Sequence, residues 1–487
     1  MSHTHVELRD AYADSVVLLE VSKAVAATPG VLDAQVAMGT PLNVEVLTGM
    51  GFEVPPCSPN TMVVALRVGS EEEVPAALAA VDAALAAGRR DSSGSSGSDG
   101  PSAVLPRTTG RALRRTGSTL ALVSVPGEHA TAEAVDALDA GADVLVFSDN
   151  VPVEQEVALK RLATERGRLV MGPDCGTAVV DGVGLGFANV VPPGDVALVA
   201  ASGTGAQQLM CLLAAAGVGV GDVLGVGGRD LSEEVGGLST LEALRRLDAD
   251  PGVRRIVLVS KPPAPAVAAR VEEHAAGLST PVDLALLGPG RPDLTAVAES
   301  VVAALGGTAP TWPVRGTARP ARGGHLRGLF VGGTLCDEAM IIAAGRLGPI
   351  RSNIPLSPEL ALGPDLQSDG HLMVDFGDDR LTQGRAHPMI DPTLRLEQLA
   401  RFGADPATGV LLLDVVLGHA AEPDPAALLA PAIAAVDVPV VVACVGTTAD
   451  PQGLDRQAEA LAGAGAEVHL SNAAAARRAA ELAGGAA

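Results

Sequence analysis

The chain reads as an α/β protein of parallel-sheet domains preceded by a small α+β domain, and three observations predict it. Short Val, Leu and Ile runs such as VALVAA, RIVLVS and VLLLDVV have the unbroken apolarity of strands buried on both faces of a parallel sheet. These runs alternate with helical patterns of about 10–15 residues, the rhythm of βαβ units. Aromatics are 2% of a chain that is 47% hydrophobic, so its cores must be built from Ala, Val, Leu and Ile. At 487 residues the chain exceeds one core, and about 150 residues per domain suggests roughly three or four.

The elements follow in order. Residues 1–90 give strand, helix, strand, strand and helix (HVELRDAY to VLDAQVAMG, MVVALRVG, EEEVPAALAAVDAALAAG), the pattern of a small ferredoxin-like domain. Residues 91–117 open with DSSGSSGSDGPS, which can bury nothing and reads as a flexible linker. Residues 118–194 alternate STLALVSVPG, DVLVFSD and RLVMGPDCG with two helices, as a Rossmann-type domain does. Residues 195–305 start afresh at VALVAASGTG and continue through DVLGVGGRDLSEEVGG, RRIVLVSKPP and PVDLALLG as a flavodoxin-type domain. GGTAPTWPVRGTARPARGGH (306–325), rich in Pro, Gly and Arg, reads as a second linker. Residues 326–487 repeat the α/β rhythm with GLFVGGTLC, HLMVDFGD, VLLLDVVLGH, VPVVVACVG and AEVHLSN.

A formal charge of −23 opposes binding to nucleic acid or an anionic membrane. No apolar run reaches the roughly 18 residues of a membrane span. MSHTHVELRDAY lacks the basic and apolar regions of a signal peptide, so a cytoplasmic protein is expected. Five scattered cysteines without a CxxC pair indicate neither a disulfide framework nor a zinc site, and no metal is expected.

In doubly wound sheets, ligands sit at the carboxyl ends of the strands, so the post-strand turns carry the functional candidates. Ser202-Gly203-Thr204-Gly205 joins a strand directly to a helix, offering free N–H donors and the positive end of the helix dipole to an oxyanion. Taken alone it reads equally as a helix cap. Gly418-His419-Ala420-Ala421 has the same form, and two such helix starts could grip one phosphate from both sides. The loop 374–392 (VDFGDDRLTQGRAHPMIDP) is dense in Asp375, Asp378, Asp379, Arg380, Arg385, His387 and Asp391. Arg385 offers a planar fork for a carboxylate or phosphate, and His387 can move a proton. Arg229 in GVGGRDLSEEVGG and Lys261 in SKPP are further binding candidates, whereas Cys175 in GPDCGT has no adjacent base and reads as part of a turn. The chain carries no P-loop, no zinc-protease helix and no serine-hydrolase elbow.

The series FSDNVP, MGPDCGT, VALVAASGTG and GVGGRDLSEEVGG is similar to the α-subunit of succinyl-CoA synthetase. VLLLDVVLGHAA, VPVVVACVGTTAD and AEVHLSN resemble the C-terminal domain of that enzyme's β-subunit. The resemblance implies succinyl-CoA-synthetase-like Rossmann and flavodoxin-like domains, in which two helix starts hold a phosphate; SGTG and GHAA fall on those positions. GPDCGT, ASGTG, GGRDLS, SKPP and GRAHPMIDP resemble, closer still, the FdrA family of acyl-CoA-synthetase-like proteins across most of residues 1–487. That resemblance implies an oxamate carbamoyltransferase subunit of purine (allantoin) catabolism, acting with two partner subunits and as a homo-oligomer. Such an enzyme converts oxalurate, or a related ureido acid, and phosphate to oxamate and carbamoyl phosphate.

Three departures shape the chemistry. The glycine-rich first turn of the CoA-binding domain, the loop carrying a phosphorylated histidine and the ATP-grasp domain all have no counterpart in the sequence. Phosphate and carbamoyl phosphate are therefore expected as substrates, with no required cofactor and CoA use in doubt. Ser202, Gly203, Thr204, Gly205, Gly418, Ala420, Arg229 and Lys261 are expected to bind phosphate and substrate, and His387, His419 and Arg385 to serve catalysis. Two alternatives stand beside this: an acyl-CoA or acyl-phosphate ligase subunit borrowing a partner's nucleotide domain, and a non-catalytic phosphate-binding scaffold.

Overall fold

The computed structural model describes residues 3–11, 13, 15–91, 106–382 and 387–484. Contacts divide the chain into two compact units, one within Met1–Leu105 and one comprising Pro106–Thr382 and His387–Ala487.

The first unit runs β1 (His3–Arg9), α1 (Ser15–Ala26), β2 (Val31–Met38), α2 (Pro41–Gly49), β3 (Met62–Val68) and α3 (Val74–Asp91). Its antiparallel sheet has the order β1-β3-β2. Alternation along β3 sends Val64, Leu66 and Val68 toward Leu18, Val21, Val25 and Val81 of α1 and α3. Val63 and Ala65 point the other way, onto Leu47 and Phe52. Both faces are therefore covered, because residues 41–49, expected as a plain connection, form α2. The Thr40 hydroxyl caps that helix at Asn43 N–H and Pro41 occupies its first turn.

The second unit begins with α4 (Thr109–Thr116), β4 (Leu120–Val123), α5 (Gly127–Asp139), β5 (Asp143–Val146), α6 (Val153–Glu165) and β6 (Val170–Met171). The strands form a parallel sheet in the order β4-β5-β6. Helix α4 lies inside the stretch expected as linker. Thr108 caps it, Gly110 N–H donates to Asp136 at 2.6 Å, and Leu113 is buried.

Next come β7 (Thr177–Val180), β8 (Val183–Gly186), β9 (Val196–Ala201), α7 (Gly203–Ala215), β10 (Val220–Gly225), α8 (Leu238–Asp248), β11 (Arg255–Ser260), α9 (Pro265–Ala276), β12 (Val282–Leu286) and α10 (Leu294–Ala304). Their sheet has the order β12-β11-β9-β10-β7-β8. The β7–β8 hairpin, expected in the Rossmann-type domain 118–194, instead extends this second sheet through β10. Asp181 and Gly182 both take positive φ at its tip, as a tight hairpin requires.

The third sheet is built from β13 (Val314–Arg315), β14 (His325–Phe330), α11 (Gly333–Leu347), β15 (Arg351–Ser352), β16 (Leu372–Asp375), α12 (Asp379–Thr382), α13 (Thr393–Ala404), β17 (Thr408–Val416), α14 (Pro425–Ala435), β18 (Val440–Val445), α15 (Leu454–Gly463), β19 (Ala466–His469) and α16 (Asn472–Ala483). Its order is β13-β19-β18-β17-β14-β16-β15. The expected linker 306–325 contributes β13, paired antiparallel to β19, and Ala318 N–H donates to Glu467 at 3.1 Å. Proline and glycine there shape a strap over a sheet edge.

One shared core joins the second and third sheets. Leu209, Leu212 and Leu213 of α7, Val301 of α10, Leu335 and Met340 of α11 and Ala476 and Ala479 of α16 interleave with Leu198, Leu412 and Val441 of the strands. The four helices thus form a common layer between the sheets, and α7 and α11 start side by side. Among the described residues no helix is long and apolar enough to cross a membrane.

Candidate functional site at two facing helix starts

Ser202 leaves β9 in an extended conformation, and its hydroxyl accepts Gly205 N–H at 2.9 Å. The same hydroxyl donates to Thr334 Oγ1, 2.6 Å away on α11. A Cβ on Gly205 would stand 2.5 Å from Ser202 Oγ, so only glycine leaves the cap intact. Gly203 and Thr204, in the first turn, have N–H groups with no intrahelical acceptor.

Helix α11 begins at Gly332-Gly333-Thr334, and no side chain of its own caps it. Instead Asp414, on neighbouring β17, accepts Val331 N–H and Gly332 N–H at 2.8 and 2.9 Å. Arg395 of α13 neutralises Asp414 at 3.2 Å. A Cβ on Gly332 would lie 2.8 Å from Thr204, and one on Gly333 would lie 2.8 Å from Asp375 Oδ2. The two starts therefore adjoin, with both positive helix ends directed at one region.

Residues 418–421, expected to supply the second helix start, do not. Gly418 N–H donates to Gln452 Oε1 at 3.1 Å and His419 N–H to Ala188 O at 2.8 Å, so neither amide is open to a ligand. Gly418 and Ala420 take φ of +124° and +61°. Pro423 and Pro425 delay the helix until α14, which Asp424 caps. The partner of SGTG is VGGTLC, a strand–glycine–helix turn of the same kind that sequence reading passed over for want of a Ser or Asp cap.

Around these starts the post-strand loops bring in charge. Lys261, after β11, is exposed, and its ammonium acts on Asp174, Asp337, Asp375 and Asp379. Asp174, reachable from solvent but crowded by protein and by Asp379, is pushed up to about 7. Burial also pushes Asp337 and Asp375 up to about 7, against the pull of Lys261. These acids carry and release protons near neutrality. Arg229 is held by Glu156 and by Val151 O at 2.8 Å, with its charge near Asp174 and Asp379. Beneath it the buried Lys160 ammonium meets Glu156 and Asp230 at 2.8 and 2.7 Å, which fixes the loop.

His387 lies beside the Phe187 ring at 5.5 Å, and burial pushes its imidazolium down to about 4. It is therefore neutral at pH 7 and cannot serve there as an imidazolium acid. His419 is exposed, near Gly184. Arg385 lies outside the described residues. Sequence reading missed Gly333, Thr334, Asp174 and Asp337; Asp375 it placed in the polar loop without a partner.

A family model described as "CoA-ligase" matches residues 329–482, and one described as "AllF, heavy metal-associated domain" matches residues 1–101. Within residues 1–101 Cys57 is the one thiol, and among the described residues no group of three His, Cys, Asp or Glu side chains is placed to hold a metal ion. Succinate–CoA ligase (ADP-forming) subunit alpha 2 of Archaeoglobus fulgidus is 29% identical over 169 residues, 34% of this chain and 56% of that one. The match thus spans little more than half of that relative. The dinucleotide-forming acetyl-coenzyme A synthetase 1 of Ca. Korarchaeum cryptofilum, solved with phosphate and ADP, gives a TM-score of 0.28 at 18% identity, over 75% of this chain and 84% of that one. The parallel-sheet unit has the succinyl-CoA-synthetase-like α/β fold, behind a small N-terminal domain. The uncharacterized protein YahF of Escherichia coli (strain K12) is 36% identical over 492 residues, 93% of each chain. The chain belongs to the FdrA-like family of YahF, with an AllF-type N-terminal domain and a CoA-ligase domain.

Proposed function

We propose that this acyl-CoA-synthetase-like subunit is part of a carbamoyltransferase that turns oxalurate, or a related ureido acid, and phosphate into oxamate and carbamoyl phosphate. The observation that carries the reading is the pair of adjoining helix starts, α7 and α11, bridged by Ser202 and Thr334 and ringed by Lys261 and acids that titrate near 7. Phosphate oxygens sit on the first-turn amides of both helices. One oxygen attacks the ureido carbonyl, a C–O bond forms and the C–N bond breaks. The departing amide nitrogen takes one proton and the phosphate gives one up, so a carboxyl poised near neutrality serves both transfers. Lys261 and Arg229 neutralise the anionic ends of the substrates. Phosphate is a substrate here and no cofactor is required; two further subunits, self-association and a cytoplasmic setting complete the proposal.

The test is to incubate the purified chain, with the proteins that co-purify with it, with oxalurate and phosphate. Carbamate kinase and ADP then report carbamoyl phosphate as ATP. Formation dependent on both substrates is expected, and none at all overturns the substrate assignment. Gly333→Val, which drives a side chain against Asp375, is expected to lower the rate by about 10²–10³; an unchanged rate overturns the site. The match of a CoA-ligase model to residues 329–482 favours a second reading, an acyl-CoA or acyl-phosphate ligase subunit. Turnover that needs ATP and CoA selects it, and phosphate binding without any turnover selects a scaffold.

A further inference from the structure

Asp375 ends β16 against the start of α11. Its backbone is clamped on both sides by one side chain: Asp375 N–H donates to Asn353 Oδ1 at 2.9 Å, and Asn353 Nδ2 donates to Asp375 O at 2.8 Å. Its carboxyl is fixed as well, since Gly377 N–H donates to Oδ1 at 2.9 Å. The residue is 6% exposed. Among the described residues Oδ2 has no hydrogen-bond partner, and it stands 2.8 Å from where a Cβ on Gly333 would be. A rigidly held carboxyl oxygen with no hydrogen-bond partner among the described residues thus lies at the first residue of α11, where an anion would take its amides.

We propose that Asp375 is the proton-carrying residue of the anion site: a tetrahedral dianion seats at the start of α11 only with the Asp375 carboxyl protonated, so one proton enters with each anion. The proposal rests on the anion-site reading above. Ionised, Oδ2 repels a neighbouring dianion and competes with it for the same helix dipole. Protonated, it becomes a hydrogen-bond donor to an anion oxygen.

The charged and titratable groups facing Asp375 come from each surrounding element. Lys261 approaches from the loop after β11, and Asp378 from its own loop. Asp414 of β17 faces it while paired to Arg395, and Cys336 of α11 senses its charge. Neutral His387 lies across Gly377, with Nε2 2.9 Å from where a Cβ there would be. Burial, Asp414 and Asp378 raise the acid, and Gly377 N–H and Lys261 lower it, leaving it at about 7. Proton uptake with the anion therefore falls within the range in which the protein can be assayed.

Sulfate is the probe, because unlike phosphate it does not itself titrate near neutrality. Calorimetric titration of the whole chain with sulfate is expected to give a constant affinity up to about pH 6.5, then a fall of about tenfold per pH unit above 7. Buffers of different ionisation heat should report about one proton taken up at about pH 8. Asp375→Asn should bind with no such slope, while Asp174→Asn and Asp337→Asn keep it. A flat wild-type profile, or a slope retained in Asp375→Asn, overturns the proposal and leaves the anion site standing. If Asp375→Asn does not fold, the other two variants decide: a slope kept in both supports Asp375, and its loss in either overturns the assignment. Failure of the wild type to bind sulfate even at about pH 6 removes the anion-site reading itself, and this proposal with it.

Discussion

Helix α7 begins Gly203-Thr204-Gly205-Ala206-Gln207-Gln208, and α11 begins Gly333-Thr334-Leu335-Cys336-Asp337-Glu338, each directly after an interior parallel strand. At the same two places along the helix, α7 carries neutral amides and α11 carries acids. Gln207 Nε2 donates to Asn189 and to Leu417 O, and Gln208 bridges Leu470 O and Asn472 N–H. Glu338 accepts from that same Asn472 and from Leu294 N–H, both at 2.7 Å, yet burial still raises it to about 7. The Asp337 carboxyl has no hydrogen bond among the described residues, and the residue is buried in the second turn of α11. The caps differ too: α7 is capped by its own Ser202, α11 by Asp414 from the next strand. The comparison teaches that one backbone plan serves two purposes. Helix α7 is a fixed, charge-neutral wall, and α11 is the half whose acids burial holds near neutrality.

The cap supports the sharpest test. Asp414→Ala strands the buried Arg395 charge and two amides, and is expected to cost about 3–5 kcal/mol in denaturant unfolding; a loss well under 1 kcal/mol would mean that α11 does not depend on its neighbour. Gly332→Val forces a side chain into Thr204 and should cost about 1–3 kcal/mol, separating the two helix starts.

Asp337→Asn gives α11 an amide where α7 has one. The folded acid at about 7 lies above its ordinary 3.8, so the native state holds the extra proton and the ionised carboxyl weakens the fold as pH rises between those values. The variant should therefore gain roughly 1–3 kcal/mol over wild type at about pH 8 and nothing below about pH 4. A gain that persists in acid would show that charge is not the cause. Ser202→Ala removes only a cap and one hydroxyl bridge, for about 1 kcal/mol of stability.

Much of the architecture was legible because the buried strands announce themselves as Val and Leu runs and the helices as periodic Ala and Leu. The SGTG turn was legible for a local reason: the cap and the helix it serves are adjacent in sequence. The α11 turn was not, because its cap comes from Asp414, 83 positions from the Val331 amide it receives. Gly418-His419 misled for the opposite reason. Its glycine looks like a helix start, but Pro423 and Pro425 move the start downstream and Ala188 and Gln452 take its amides. The gathering of Asp174, Asp337 and Asp375 around Lys261 joins two loops, a helix and a strand end far apart in sequence, and no spacing rule reveals it. Helix α4 and strand β13 were hidden by the composition around them.

The short run Ala188-Asn189-Val190 threads between the two larger sheets. Asn189 holds Leu417 O and Asp450, Val190 N–H donates to Asp450 at 2.7 Å, and Thr447 closes on Val190 O. Both helix starts and the clasp that holds them therefore belong to a single molecule. Their meeting has no second-order step, and within this unit it is indifferent to dilution. The α7–α11 arrangement should stay assembled at nanomolar protein, so a loss of activity on dilution would not report the parting of these two helices.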